Sequence, residues 1–400
     1  MTSSEGGASA GGYDLVIKGG RVFDSANRTF SRQDVAVRDG KIARMAPTIE
    51  PTGAKQVVDA SGRIVTPGLI DSHMHGYPLG NLTGLDVDPL SSRSGVTTFV
   101  DAGTTGVMNF LAFRKYVIDK ARSNLFAMLN VSAIGQAMEG MAGLKIDEYD
   151  DLRVLHIASA VEQIEGNRDI VVGIKVRMYQ GLTSLMPLAA GRELAQEVGL
   201  PMAVHVESPP PTFRDILPYL RPGDIITHVY HPAPGAVVDR NGRLKPEYKE
   251  AKERGVVIDS GSARLYNCFP IVRAALEQGF APDTISTDLT TVTVNNLTID
   301  LPNTLSKFLA LGLSLEDTLT AVTATAARML PKDRGIGQLG EGLSADIAVF
   351  ELEEGEFRYN DFYGNVLTGQ RRFVTRATIK DGVVLTPTPT EPLPWSFIRR

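Results

Sequence analysis

At 400 residues the chain is too long for one small core and long enough for a large domain with an appendage. Hydrophobic residues make up 43% and charged residues 22%, and no apolar run approaches the roughly 20 residues of a membrane span. A net charge of -5 without any basic block gives no electrostatic ground for binding nucleic acid or an anionic membrane, so a small-molecule substrate is the default reading.

In chain order, the opening MTSSEGGASAGG lacks the basic and apolar regions of a secretory signal and reads as a disordered leader over residues 1–12. From Tyr13 to Thr66 short β-branched runs are split by turn residues, with hairpin-type turns at Asp39-Gly40 and Ser61-Gly62. Eight strand-like runs follow: IVTPGLIDSHMH, TTFVDAG, FAMLNVSAIG, VVGIKVRM, PMAVHVES, DIITHVY, GVVIDSGS and TISTDL. Helical stretches such as FLAFRKYVIDKARS, LHIASAVEQIEG, AAGRELAQEVG, EYKEAKERG and PIVRAALEQG alternate with them, their apolar residues recurring at three and four. This rhythm predicts an α/β fold, a (β/α)8 TIM barrel over residues 67–337, completed by NTLSKFLALGL and SLEDTLTAVTATAARML. β text then returns in GQLGEGLSADIAVFELE and RRFVTRATIKDGVVL, where Asp381-Gly382 matches Asp39-Gly40. Residues 13–66 and 338–386 are therefore expected to pair into one small β-sandwich domain built from both termini, followed by an irregular tail at 387–400. A lone cysteine, Cys268, cannot form an internal disulfide; a reducing, cytoplasmic setting fits it, and it reads as a small apolar residue rather than a nucleophile.

Four of the six histidines stand at the ends of strand-like runs, where a parallel barrel carries its chemistry. His73 and His75, two apart on an extended strand, share one face and point into the barrel, where imidazoles need a metal or an acid to satisfy them. Lys175 lies among apolar neighbours in VVGIKVRM. A buried ammonium requires pairing with an acid or neutralisation, and carboxylation by carbon dioxide would turn it into an anion able to bridge two cations. His205 and His228 end successive runs and could hold a second cation. Asp288 ends the eighth run, beside the first in a closed barrel, and is placed to bind a metal and to take a proton from a water between the two metals. Arg177, Tyr179 and Arg264 follow strands four and seven and are candidates to hold an oxyanion or a substrate carboxylate, with Tyr77 behind them. His156 reads as a surface or helix-packing residue, and His231, three residues past His228, could reach the pocket.

At these residues the chain resembles the amidohydrolase superfamily, in its two-metal form with a carboxylated lysine. VVDASGRIVTPGLIDSHMH, GQLGEGLSADIAVF and the strand-end residues carry the likeness over nearly the whole chain. The resemblance implies that His73 and His75 bind one metal with Asp288, that His205 and His228 bind the other, and that carboxylated Lys175 bridges both. Zinc is the default metal for such donors, and manganese, iron or cobalt would suit them. GVTTFVDAGTTG, NVSAIG, GIKVRM, GDIITH and ISTDL resemble the predicted deacetylase, dihydroorotase-like branch. Where that branch commonly has His-Gly after strand seven and His after the strand-eight Asp-Leu, this chain has Ser262-Ala263 and Thr290.

The expected activity is therefore metal-dependent hydrolysis of an ester or linear amide, with deacylation of an acylated hydroxy or amino acid and Asp288 as general base and then acid. The alternative is a cyclic amide hydrolase of the dihydroorotase or hydantoinase kind; more remote is a barrel that has lost catalysis and serves assembly. Deamination is disfavoured, because deaminases of the superfamily usually use one metal without the carboxylated lysine. A barrel enzyme of this size is expected to form a homo-oligomer.

Overall fold

The computed structural model describes residues 12–388 apart from 138–147 and residues 180, 183, 208, 233 and 295. The leader expected at 1–12 and the tail expected at 387–400 lie almost wholly outside the described residues.

The N-terminal segment forms β1 (Leu15–Asp24), β2 (Thr29–Arg38), β3 (Lys41–Ala46), β4 (Gln56–Asp59) and β5 (Ile64–Pro67). Seven barrel strands come next: β6 (Leu69–Met74), β7 (Val96–Ala102), β8 (Asn124–Asn130), β9 (Val171–Met178), β10 (Met202–Val206), β11 (Ile225–Thr227) and β12 (Val257–Asp259). The C-terminal segment adds β13 (Ile347–Asn360), β14 (Val366–Lys380) and β15 (Val383–Val384).

The two ends of the chain build one sheet, ordered β15-β14-β13-β5-β1-β2-β3, with β4 also pairing β1. Its seam is the antiparallel pair of β5 and β13, where Pro67 stands opposite Ile347 and Ile64 opposite Phe350. The side chains alternate: Leu15 and Ile17 pack with Val35, Val37, Ile347 and Ile379, while Val16 packs with Ala36 and Ile49. Asp39 and Gly40 have φ of 51° and 73°, and Asp381 and Gly382 have 48° and 77°. Consecutive positive φ values are what a two-residue hairpin needs to follow strand twist, which explains why Asp-Gly occurs at both turns. Ser61-Gly62 differs from expectation. It joins β4 to β5, which both run parallel to β1 instead of pairing with each other, so it is no hairpin.

The barrel strands are parallel and hydrogen-bonded in chain order from β6 to β12. The eighth expected run, residues 283–289, closes the ring without becoming a regular strand. Asp259 bridges Thr284 on one side and Met74 bridges Leu289 on the other, both in parallel sense. Carboxylates replace part of its ladder: Thr287 donates through its backbone N–H (3.0 Å) and its hydroxyl (2.6 Å) to buried Asp71. Helices cover the outside at the expected places, among them Phe110–Tyr116, Ile157–Glu165, Met186–Val198, Pro246–Glu253 and Phe269–Glu277. The helix Met186–Val198 has Pro187 in its first turn and ends at Gly199 in a left-handed conformation. A Cβ on its Gly191 would stand 2.3 Å from Val176 Cγ2, so this glycine lets the helix lie close against β9. His156 is the exposed N-cap of the helix Ile157–Glu165, its Nδ1 accepting from the Ser159 N–H at 3.3 Å. Among the described residues no helix is long and apolar enough to cross a membrane.

Candidate metal centre

His73 lies on β6 with His75 just past its end, Lys175 lies on β9 and His205 on β10, while His228 follows β11 and Asp288 sits in the closing run. All six line one cavity of about 70 Å³ at the C-terminal ends of the strands. His228 (φ 72°) and Asp288 (φ 48°) hold left-handed backbone, which costs non-glycine residues about 1 kcal/mol or more. Local bonds hold both there. The Asp288 N–H donates to the His73 carbonyl at 2.7 Å, and His228 Nδ1 donates to the Gly261 carbonyl at 2.9 Å.

The hydrogen bonds behind the ring fix where every imidazole proton sits. His73 Nδ1 donates to Asp259 Oδ2 at 3.1 Å. His75 Nδ1 meets Thr104 Oγ1 at 2.8 Å, and because that hydroxyl gives its own proton to Asp101 (2.6 Å), it accepts from the imidazole. His205 Nε2 meets Glu207 Oε1 at 2.9 Å, a carboxylate that also takes the Tyr266 hydroxyl proton at 2.7 Å. Each ring thus spends its N–H on the protein and keeps one lone-pair nitrogen for the cavity.

Burial favours the neutral form of His73, His205 and His228. It pushes His205 down to about 4, and it lowers His73 and His228 as well, with Lys175 adding to the effect on His73 and His205 adding to that on His228. At Asp288 burial would raise the carboxyl, and the Lys175 ammonium, with His73 and His75 wherever they bring a proton to it, lowers it overall. Its Oδ1 lies 3.5 Å from His73 Nε2 and 3.2 Å from His75 Nε2, and Oδ2 lies 3.9 Å from His228 Nε2. With their N–H groups turned outward, neutral His73 and His75 would face this carboxylate with lone pairs, an arrangement that needs a proton or a cation between them. The donor set therefore fits divalent metal, and His73, His75 and Asp288 form a group tight enough to hold one ion.

Lys175 is buried, and its Nζ lies 3.1 Å from His73 Nε2. Burial pushes its ammonium down to about 8, partly offset by Asp288. Gly103 makes room for it. A Cβ there would stand 2.4 Å from Lys175 Cβ and 2.6 Å from its Cγ, in backbone with φ of 82°. Gly199, with φ of 66° and no atom within 4 Å of its virtual Cβ, separates the two effects. Gly199→Ala is expected to cost about 1 kcal/mol through backbone strain alone. Gly103→Ala adds about 1–3 kcal/mol of overpacking and displaces Lys175, so it also loses metal and activity. Denaturant midpoints with metal content read the difference. Equal losses in the two variants would show that Gly103 serves only its turn.

Of the substrate-binding candidates, Arg177 and Arg264 line the cavity, whereas Tyr179 is not among its lining residues and stacks on Tyr149 at 5.9 Å. Arg177 is tethered to Glu148 at 3.1 Å. Tyr266 lies over His228, ring centroids 3.9 Å apart, and lines the cavity beside Arg264. His231 is buried behind Tyr266 and outside the lining, with its Nε2 lacking a hydrogen-bond partner. Ala263 and Thr290 line the cavity, while the Ser262 hydroxyl donates to Ser260 Oγ at 3.0 Å. Glu207, Asp259 and Thr104 went unread in the sequence. Glu207 follows His205 by two on one strand, the same spacing that marked His73 and His75, and Asp259 ends its strand as an acid among apolar residues.

A larger cleft of about 810 Å³ opens at the N-terminal ends of the strands, lined by Pro201, Ile225 and Val257. Its Arg192 and Lys252 are paired with Asp224 and Asp283, and that barrel face ordinarily serves stability.

The family model for amidohydrolases matches residues 64–385. A deacetylase of Agrobacterium fabrum is 30% identical over 344 residues, 85% of this chain and 83% of its own length. A deacetylase of Enterococcus faecalis is 28% identical over 378 residues, covering 93% and 99%. A solved structure described as a dihydroorotase superposes with a TM-score of 0.86 at 27% identity, covering 95% of this chain and 99% of that one. Another, described as an adenine deaminase, gives 0.85 at 28% identity, with coverage of 93% and 99%.

Proposed function

Because the chain belongs to the amidohydrolase family, whose members generally bind divalent metals, we propose that it is a two-metal deacylase of acylated hydroxy or amino acids. The observation that carries this reading is geometric: four imidazoles whose N–H groups are bonded away from the centre converge with Asp288 on one buried cavity. In the proposed assignment His73, His75 and Asp288 hold one cation, His205 and His228 hold the other, and carboxylated Lys175 bridges them. Zinc is the metal expected from this nitrogen-rich set. Two cations there would supply an activated water and a polarised substrate carbonyl.

The chain's own residues do the rest. An ammonium depressed to about 8 is more often neutral at physiological pH than a free lysine, and the neutral amine is the form that adds carbon dioxide. Asp288 accepts the proton of the attacking water and returns it to the leaving oxygen or nitrogen. Arg264 makes no hydrogen bond or ion pair among the described residues and lines the cavity, which supports it as the partner of a substrate carboxylate. Arg177, held by Glu148, supports the same end of the substrate or the developing oxyanion.

The relatives named deacetylase cover most of this chain, and this supports the linear substrate over the cyclic one. The test is metal analysis of the purified protein, followed by turnover of acetylated hydroxy and amino acids beside cyclic ureides and imides. About two metals per chain and hydrolysis of the acetylated set alone are expected. Turnover of the cyclic set alone would replace the deacylase reading with the cyclic amide one, and a protein that takes up no metal would remove both.

A further inference from the structure

Gln136 stands in the cavity outside the proposed ligand set, and its amide oxygen has no partner among the described residues. Gln136 is 2% exposed, it lines the cavity with His75 and Asp288, and its Oε1 accepts no hydrogen bond. Its position is fixed by the metal centre's own scaffold. The Gln136 N–H donates to the Thr104 carbonyl at 3.0 Å, and the same Thr104 holds His75 through its hydroxyl at 2.8 Å. A Cβ on Gly135, at φ of 58°, would stand 2.5 Å from that Thr104 carbonyl, so the two turns are in close contact. The backbone of Gln136 is thus held against the turn that supports His75, and its side chain lines the cavity beside that ring.

A buried amide oxygen without a donor costs free energy that the protein recovers only when something brings an N–H or O–H to it. The end without a partner is the oxygen, which can only accept and therefore needs a donor. Gln136 shares this cavity with His75 and Asp288, so what it meets there is the reacting end of a substrate. An ester linkage carries acceptors only. A secondary amide adds an N–H, the donor that the Gln136 oxygen lacks.

We propose that Gln136 selects N-acyl over O-acyl substrates by accepting a hydrogen bond from the N–H of the bond to be cleaved, so that N-acyl amino acids are the preferred class. This rests on the deacylase reading above. Thr83 provides the contrast. Its hydroxyl is also buried, unpartnered and in the lining, but a hydroxyl both donates and accepts and does not distinguish the two linkages.

The test compares kcat/KM of the metal-loaded protein on N-acetylalanine, O-acetyllactate and N-acetyl-N-methylalanine, for the natural sequence, Gln136→Leu and Thr83→Val. Gln136→Leu is expected to lower the amide-to-ester ratio by roughly ten- to a hundredfold, and Thr83→Val to leave that ratio within about threefold. N-methylation should cost the natural protein a similar factor and cost Gln136→Leu much less. An unchanged ratio in Gln136→Leu, or equal rates on the methylated and unmethylated amides in the natural protein, would overturn the proposal while leaving deacylation in place. Loss of all three activities beside turnover of a cyclic ureide would overturn the deacylase reading and this proposal with it. If Gln136→Leu does not fold, shown by its melting and metal content, the N-methyl comparison in the natural protein decides alone.

Discussion

Lys175→Ala is expected to abolish hydrolysis and to weaken metal binding by at least about a hundredfold, the upper end of the loss caused by removing a ligand's supporting partner alone. The side chain is fully buried between β8 and β10, reaches within 3.1 Å of His73 Nε2, and is packed against Gly103 so closely that no Cβ is tolerated there. A structural lysine in such a place would need a buried acid as its partner. The nearest carboxylate by influence is Asp288, which already faces His73 and His75. In the proposed centre, carboxylation would resolve the conflict by replacing a cation with an anion that balances two metals. Metal content and activity should therefore fall together in Lys175→Ala. Reloading the metal-free natural protein should be faster and more complete with bicarbonate than without it. A Lys175→Ala protein that keeps both metals, or reloading indifferent to bicarbonate, would leave Lys175 as an ordinary buried lysine.

The barrel and the gathering of the proposed ligands were legible because the pattern is local: strand-end histidines and an acid need only the rule that chemistry gathers at the C-terminal mouth. The hairpins at Asp39-Gly40 and Asp381-Gly382 were legible for the same reason, since their backbone conformation excludes most other residues. Ser61-Gly62 carries the same turn chemistry without making a hairpin, because its flanking strands find their partner in β1 and no local feature announces that. The eighth run reads as a strand and closes the ring, yet Asp71 and Asp259 take over bonds that a regular ladder would make. The supporting residues were the least visible. Thr104, Asp259 and Gly261 matter through the proton each accepts from an imidazole far away in sequence, and a threonine, an acid and a glycine at strand ends have commoner uses. Gln136 is the extreme case, since what marks it is the absence of a partner, a property of the folded site alone.

Asp288→Asn gives the sharpest test of the proton arrangement, because it changes charge and proton inventory while keeping shape. An amide cannot take a proton from water, so kcat is expected to fall roughly 10²- to 10⁴-fold with KM little changed and at least one metal retained. The same change should act oppositely on the metal-free protein. In the natural protein a carboxylate oxygen lies 3.2 Å from His75 Nε2 and 3.5 Å from His73 Nε2, both of which, when neutral, turn lone pairs toward it. An asparagine N–H in that position would donate to one of them, converting a repulsion into a hydrogen bond. Metal-free Asp288→Asn should therefore be more stable than the metal-free natural protein, by about 1–3 kcal/mol, and should gain less from added metal. Melting both proteins with and without metal measures the two effects at once. A variant that is destabilised when metal-free would mean that protons already sit between Asp288 and the imidazoles, and the cavity would then need no cations to hold its charges together.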